Sequence, residues 1–225
     1  MIGHLLRKTT WDPERDFVPV TLADAGPNVL VVHPSVPVKT VKELIALAKS
    51  RPEQLNYATG PPGSSLHLGA ELFKSMAGIN ITWVPYKGGG QAAASVLAGE
   101  TEVVFAEAAA STPHIKSGRL RALAVTSLQP SALFPGMPTV ASAGLPGYEL
   151  LGIDAVVAPA KTPQAIVSRL NQEIVRALNQ PSVKETLFNT GVVVVAGTPE
   201  EFGKFMRSEI VKWGKVIKDA NIKLD

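Results

Sequence analysis

The chain has 225 residues, 45% of them hydrophobic, 18% charged and 6% aromatic, with no cysteine and a mean hydropathy of +0.15. That length and apolar fraction allow one large domain or two small lobes with a buried core and exclude disordered, collagen-like and low-complexity classes, while the missing thiols exclude disulfides, thiolate catalysis and Cys-based zinc sites. Lys and Arg (22) against Asp and Glu (19) give a formal charge of +3, but the basic residues are spread among acids rather than gathered in a stripe, which argues against a nucleic-acid partner.

Val18–Leu22 and Asn28–Val32 read as two strands. Thr40 caps a helix carrying Leu44, Ile45, Leu47 and Ala48, which Pro52 stops. Leu55–Ala58 is a short strand and Gly60-Pro61-Pro62-Gly63 a loop. Ser64 or Ser65 caps the next helix, with Leu66, Leu68, Leu72, Phe73 and Met76 on its apolar side and Gly78 at its end. A strand at Ile79–Pro85, a turn at Lys87–Gly90 and a small-residue helix at Gln91–Ala98 follow. Glu102–Phe105 and Arg121–Thr126 are further strands, with a helix around Thr112–Lys116 between them.

Residues 130–147 form the longest irregular stretch, rich in Pro and Gly, of the kind that is functional or connects lobes. Beyond it come a strand at Leu150–Ala158 and an amphipathic helix carrying Ile166, Val167, Leu170, Ile174, Val175 and Leu178. A short strand at Val192–Val195 precedes the last helix, which Thr198 caps with Glu201 three residues on. This alternation predicts an open, mostly parallel sheet with helices on its faces. No window reaches the length of an apolar membrane span, and the first residues lack the long apolar run of an export signal.

Two loops could carry chemistry. In Gly60-Pro-Pro-Gly-Ser-Ser-Leu-His67 a strand end feeds a helix start through a Gly/Pro loop, which leaves backbone N–H groups at the positive end of a helix dipole: a seat for an anion. Ser64 and Ser65 either contribute to that seat or only cap the helix, and His67 in its first turn either reaches a bound carboxylate or packs. The second loop, Pro85-Tyr-Lys-Gly-Gly-Gly-Gln91, has the same geometry. Its span Gly88–Ala93 also fits the dinucleotide pattern G-x-G-x-x-A, with Glu107 downstream, although that acid follows Phe105 in an Ala-rich stretch instead of ending a strand. A nucleotide-dependent enzyme built on Gly88–Ala93 is therefore the rival reading.

The sequence lacks a G-x-S-x-G elbow, an H-E-x-x-H motif and a P-loop, and the four histidines (His4, His33, His67, His114) lack ligand spacing, so neither a metal nor a cofactor is implied. Trp83 and Trp213 sit in regular elements and read as core. Asp154 interrupts an apolar strand, where an acid either faces water or faces a cleft.

Trp11-Asp-Pro-Glu-Arg-Asp-Phe-Val-Pro-Val-Thr21, Asn28-Val-Leu-Val-Val-His-Pro34 and Leu55-Asn-Tyr-Ala-Thr-Gly-Pro-Pro-Gly-Ser-Ser-Leu-His-Leu68 resemble the Bug family, the extracytoplasmic solute receptors of tripartite tricarboxylate transporters. Val84-Pro-Tyr-Lys-Gly88, Pro113-His-Ile-Lys-Ser-Gly-Arg-Leu-Arg-Ala-Leu-Ala-Val-Thr-Ser127, Met137-Pro-Thr-Val140 and Gly144-Leu-Pro-Gly-Tyr148 continue the match in order, across essentially the whole chain. The resemblance implies an α/β, type II periplasmic-binding-protein fold: two lobes and a hinge, residues 1–33 and 149–225 making the first lobe and 34–148 the second. It also implies a non-enzymatic, periplasmic receptor that holds a small carboxylate between its lobes for membrane transporter subunits. The hinge falls near His33-Pro34 and 147–152. On the second lobe the ligand contacts map to Gly63, Ser64, Ser65 and His67 and to the turn Tyr86, Lys87, Gly88 and Gly89.

The departures from the family are equally specific. Its leader, first strand and Pro/Gly-rich loop find no match, so the first lobe is expected to be incomplete. Val29–Val32 and Leu150–Ala158 should then be partly uncovered, which predicts self-association, visible by light scattering at micromolar concentration. It also raises the reading of a binding fragment with only half a site. Ala106-Glu107 stands where many relatives carry Asp-Asn, and Gly152-Ile153-Asp154 where they often carry an aromatic followed by Phe-Gly or a similar pair. Carboxylates at Glu107 and Asp154 would suit a ligand bearing an amino, amide or hydroxyl group beside its carboxylate.

Overall fold

The computed structural model describes residues 3–6, 8–220 and 222. Two helical turns, α1 (Gly3–Leu6) and α2 (Pro13–Asp16), lead into the 16-residue strand β1 (Phe17–Val32). Then come α3 (Val41–Ser50), β2 (Asn56–Thr59), α4 (Ser65–Ala77), β3 (Thr82–Pro85) and α5 (Gly89–Leu97). β4 (Val103–Glu107), α6 (Ala108–Lys116) and β5 (Arg121–Val125) follow. The chain ends with β6 (Leu151–Pro159), α7 (Gln164–Leu178), α8 (Pro181–Asn189), β7 (Val193–Val194) and α9 (Pro199–Asp219).

Local chemistry explains the helix boundaries. Thr40 with Glu43, and Thr198 with Glu201, form complete capping boxes in which side chain and backbone satisfy each other. Gly78, at φ +61°, closes α4 in the left-handed region where a Cβ would be strained. None of the described helices is long and apolar enough to cross a membrane.

The two expected strands at 18–22 and 28–32 are one strand. The Gly26-Pro27 step marks a change of partners within it: Asp24 and Ala25 pair with Val194 and Val193 of β7, whereas Asn28–Val32 pair with β4 and β5. Pro27, with no N–H to donate, thus falls between two ladders. Gly26 is fixed by a close approach, since a Cβ there would stand 2.5 Å from the carbonyl oxygen of Gly191. Gly26→Ala should therefore cost about 2 kcal/mol, the usual scale of overpacking against a neighbour that cannot rotate away; urea denaturation measures it, and an unchanged midpoint would refute the contact.

The chain forms two compact units, residues 1–26 with 153–225, and residues 27–152. The sequence reading puts the divisions at 33/34 and 148/149; the compact units divide at 26/27 and 152/153, so residues 27–33 and 149–152 fall in the second.

In the second unit the strand order is β3-β2-β4-β1-β5. β2 is parallel to β3 and β4, but β1 is antiparallel to both β4 and β5, so the sheet is mixed where a mostly parallel one was expected. The reason is that β1 is not joined to either neighbour by a strand-helix-strand crossover: its helix leads to β2, and β4 lies between. Both faces of this sheet are covered. Val29, Val31, Ala58, Val104 and Ala106 pack on one side with Ala92 and Val96 of α5. Elsewhere in the unit's core Phe73, Phe105 and Tyr148 meet at ring separations of 5.6–6.3 Å. Val29–Val32 are wholly buried, against the expectation that they would be partly uncovered, because β4 and β5 flank them.

The first unit is thinner. Val20 packs with Ala158 and Val167, and Leu22 with Phe202 and Met206. β6 is partly uncovered, with its residues between half-buried and exposed apart from buried Ala158, and Leu150 before it is buried. α7 fully buries only Val167, and α8, unforeseen from sequence, half-buries only Val183 and Leu187, too short an apolar stripe to stand out.

Candidate functional site

In the second unit, the parallel strands β2, β3 and β4 end at Thr59, Pro85 and Glu107, and α4, α5 and α6 start after them. Ligands of open α/β sheets bind at this carboxyl edge, where helix N-termini offer unpaired N–H groups. The two glycine loops meet there. A Cβ on Gly60 would lie 3.4 Å from Ser64 Oγ and 3.7 Å from the Cα of Gly88, and the Tyr86 N–H donates to Thr59 O at 2.9 Å. Gly63, Ser64, Ser65, Tyr86, Lys87, Gly88 and Gly89 are thus brought to one edge, which the strand-turn-helix reading anticipated.

The three helix starts differ in what they leave free. Ser64 is the N-cap of α4, its hydroxyl accepting the His67 N–H at 3.3 Å, while Ser65 is exposed. No side chain caps α5 or α6, although Glu107 holds the cap position of α6. The first-turn N–H groups of α5 and α6 remain available to an anion.

His67 lies behind its loop. It is 5% exposed, stacks on Trp83 at 4.1 Å between ring centroids, and accepts the Gly63 N–H on Nδ1 at 3.0 Å. That acceptor requires a neutral ring with its proton on Nε2. Burial depresses the imidazole pKa, opposed by Glu71 and assisted by Lys74. A neutral, occupied His67 fixes the shape of the Gly60–Gly63 loop and brings no charge to it. The support goes deeper: Trp83 Nε1 donates to Thr59 Oγ1 at 2.8 Å, and Glu71 accepts from both the Tyr57 hydroxyl and Lys74. Sequence reading missed Glu71, although its place one helical turn after His67 was a usable signal.

Glu107 is exposed and is the last residue of β4, a strand end after all. Its Oε1 would be 3.8 Å from a Cβ on Gly89, so a carboxylate already stands beside the α5 turn. The topology disfavours the dinucleotide reading, because β2 separates β3 from β4 where the fingerprint needs adjacent strands.

In the first unit, Asp154 is exposed and its charge bears on Asp24, an acid that the sequence reading passed over. Asp24 is 5% exposed, and its Oδ1 has no hydrogen-bond partner. Burial first, and then the charge of Asp154, push the Asp24 carboxyl up to about 6. The criterion applied to Asp154, an acid within an apolar strand, does not reach Asp24, which lies between two expected strands that the structure joins into one. Asp154 also borders a cavity of about 420 Å³ lined by Trp11, Phe17, Ile153, Phe202 and Met206.

The likeness to known proteins is specific and extends over both units. Residues 1–222 match the model of the tripartite tricarboxylate transporter family receptor. The chain belongs to that family. Protein BugT of Bordetella pertussis is 36% identical over 209 residues, 93% of this chain and 64% of BugT. The UPF0065 protein in the tcbD-tcbE intergenic region of Pseudomonas sp. (strain P51) is 36% identical over 216 residues, 96% of this chain. The chain spans 64% of the length of each of these relatives. Among solved structures, R. palustris Rpa4515 with adipate superposes with a TM-score of 0.88 at 37% identity, over 99% of this chain and 75% of that one. MatC from Rhodopseudomonas palustris with bound malate gives 0.83 at 27% identity, over 95% and 74%. The receptor family accounts for the α/β fold, and its members bind solutes.

Proposed function

We propose that this chain is the solute-binding part of a periplasmic receptor. It captures a small carboxylate on helix-start amides and hands it to a tripartite tricarboxylate-type membrane transporter, without chemical turnover. The observation that carries this reading is the meeting of the Gly60–Ser65 and Tyr86–Gly89 loops at one sheet edge, with the first turns of α5 and α6 uncapped by side chains. Backbone amides held in place by helices bind an anion without any acid or base to titrate. Adipate and malate, the ligands of two structural relatives, are both carboxylates and support the class. Self-association belongs to the same proposal and is supported by the exposed Ile166, Leu170 and Val157 of the first unit.

A thermal-shift panel of mono-, di- and tricarboxylates, amino acids and aromatic acids, with NAD and ATP as rivals, tests the reading. A ligand at about 100 times its Kd should stabilise the fold by roughly 2.7 kcal/mol. A carboxylate response without a nucleotide response is expected; a nucleotide response alone would overturn it.

Glu107 refines the ligand. A carboxylate about 4 Å from a bound anion would cost about 1 kcal/mol even in water. Glu107→Gln should therefore tighten a plain dicarboxylate about fivefold and weaken a ligand whose ammonium faces that position. Calorimetric titration of both ligand types reads this out, and equal effects on both would remove Glu107 from the site.

A further inference from the structure

We propose that Asp24 and Asp154 form a proton-operated latch between β1 and β6, closed when the two carboxyls share one proton and loosened when both are ionised. Asp24 is 95% buried, one of its oxygens lacks any partner, and neither acid forms an ion pair among the described residues. The strand on its other side, β7, places only Val193 and Val194 opposite residues 24 and 25, so Asp154 is the charged group that faces it. A carboxylate in that position keeps little of its hydration and gains no donor on its buried oxygen, whereas a carboxyl O–H can donate to Asp154. The upward shift of Asp24 to about 6 places the exchange of this proton near neutrality.

The location gives the latch its consequence. The chain passes between units at Gly26/Pro27 and Gly152/Ile153, and each acid lies within two residues of one passage. On the second unit's side the same two segments are tied by a group that does not titrate: the Thr126 hydroxyl donates to Leu150 O at 2.6 Å and accepts the Asn28 N–H at 2.8 Å. One tie is permanent and the other depends on a proton.

The test is amide hydrogen exchange on the whole ligand-free chain, corrected for intrinsic rates, so that it stands or falls apart from the receptor reading. Between about pH 5 and about pH 7.5, amides of residues 22–26 and 153–156 should lose protection about tenfold, while those at Asn28 and Thr126 hold. Asp24→Asn, which keeps a donor facing Asp154, should stay protected at both pH values. Asp154→Asn, at an exposed position where the fold tolerates change, offers an amide donor to the ionised Asp24 and should reduce the pH dependence strongly. Flat protection in the unaltered chain, or a pH dependence as large in Asp154→Asn as in the unaltered chain, would overturn the latch.

Discussion

Gly89→Pro should weaken carboxylate binding by about 10- to 100-fold and leave the melting temperature nearly unchanged. Position 89 is the first residue of α5, where a helix tolerates proline because the missing N–H has no intrahelical partner. Gly88 before it is extended, at φ −173° and ψ 169°, the conformation that a residue preceding proline prefers. The substitution thus deletes one donor from the anion seat and little else. A hydrogen bond to a charged group contributes about 1.5–3 kcal/mol, which sets the expected loss. Added bulk is controlled by Gly89→Ala, which keeps the N–H and meets the same neighbour, Leu66 Cδ1, at 3.2 Å from its Cβ. If alanine and proline weaken binding equally, sterics explain the loss; if neither does, the α5 amides are not part of the site.

The strand-turn-helix edge proposed as the anion seat was legible because its signals are local. Glycine next to a helix start, Ser64 in the cap position, and the Thr40/Glu43 and Thr198/Glu201 pairs each encode geometry within a few residues. What could not be read depended on distant partners. Gly26-Pro27 looks like a break in any window of sequence, and only the switch from β7 to β4 and β5 shows why the strand continues through it. The parallel or antiparallel sense of β1 is likewise set by neighbours far along the chain. His67 shows the boundary between the two kinds of information: its position in the first turn is local, but its burial against Trp83 and its bond to Gly63 arise from tertiary packing. Asp24 belongs to the same class: it lies between two expected strands, and only the continuous β1 makes it an acid within an apolar strand.

Acid should stabilise one unit and destabilise the other. Asp24, in the first unit, binds its proton at about 6 when folded against 3.8 for an ordinary aspartate, so the folded state takes up the proton first as pH falls. Its contribution therefore rises as pH drops from neutrality through about 6 and levels off below the unfolded value. Between about pH 7 and about pH 5 that linkage amounts to about 1 kcal/mol. His67, in the second unit, has a folded pKa below 6.5, so the unfolded chain takes up the proton first, and stability is lost as pH falls below 6.5. The loss has a structural cause, because a protonated Nδ1 cannot accept the Gly63 N–H. Summed over the whole chain the two effects oppose each other, and a single melting curve would show little. Urea denaturation followed by residue-resolved NMR should separate them: on going from about pH 7 to about pH 5, first-unit signals should be lost at higher urea and second-unit signals at lower urea. Asp24→Asn should remove the first shift and His67→Gln the second. Both units moving in the same direction, or either shift surviving its own variant, would show that these two groups do not control the response to acid.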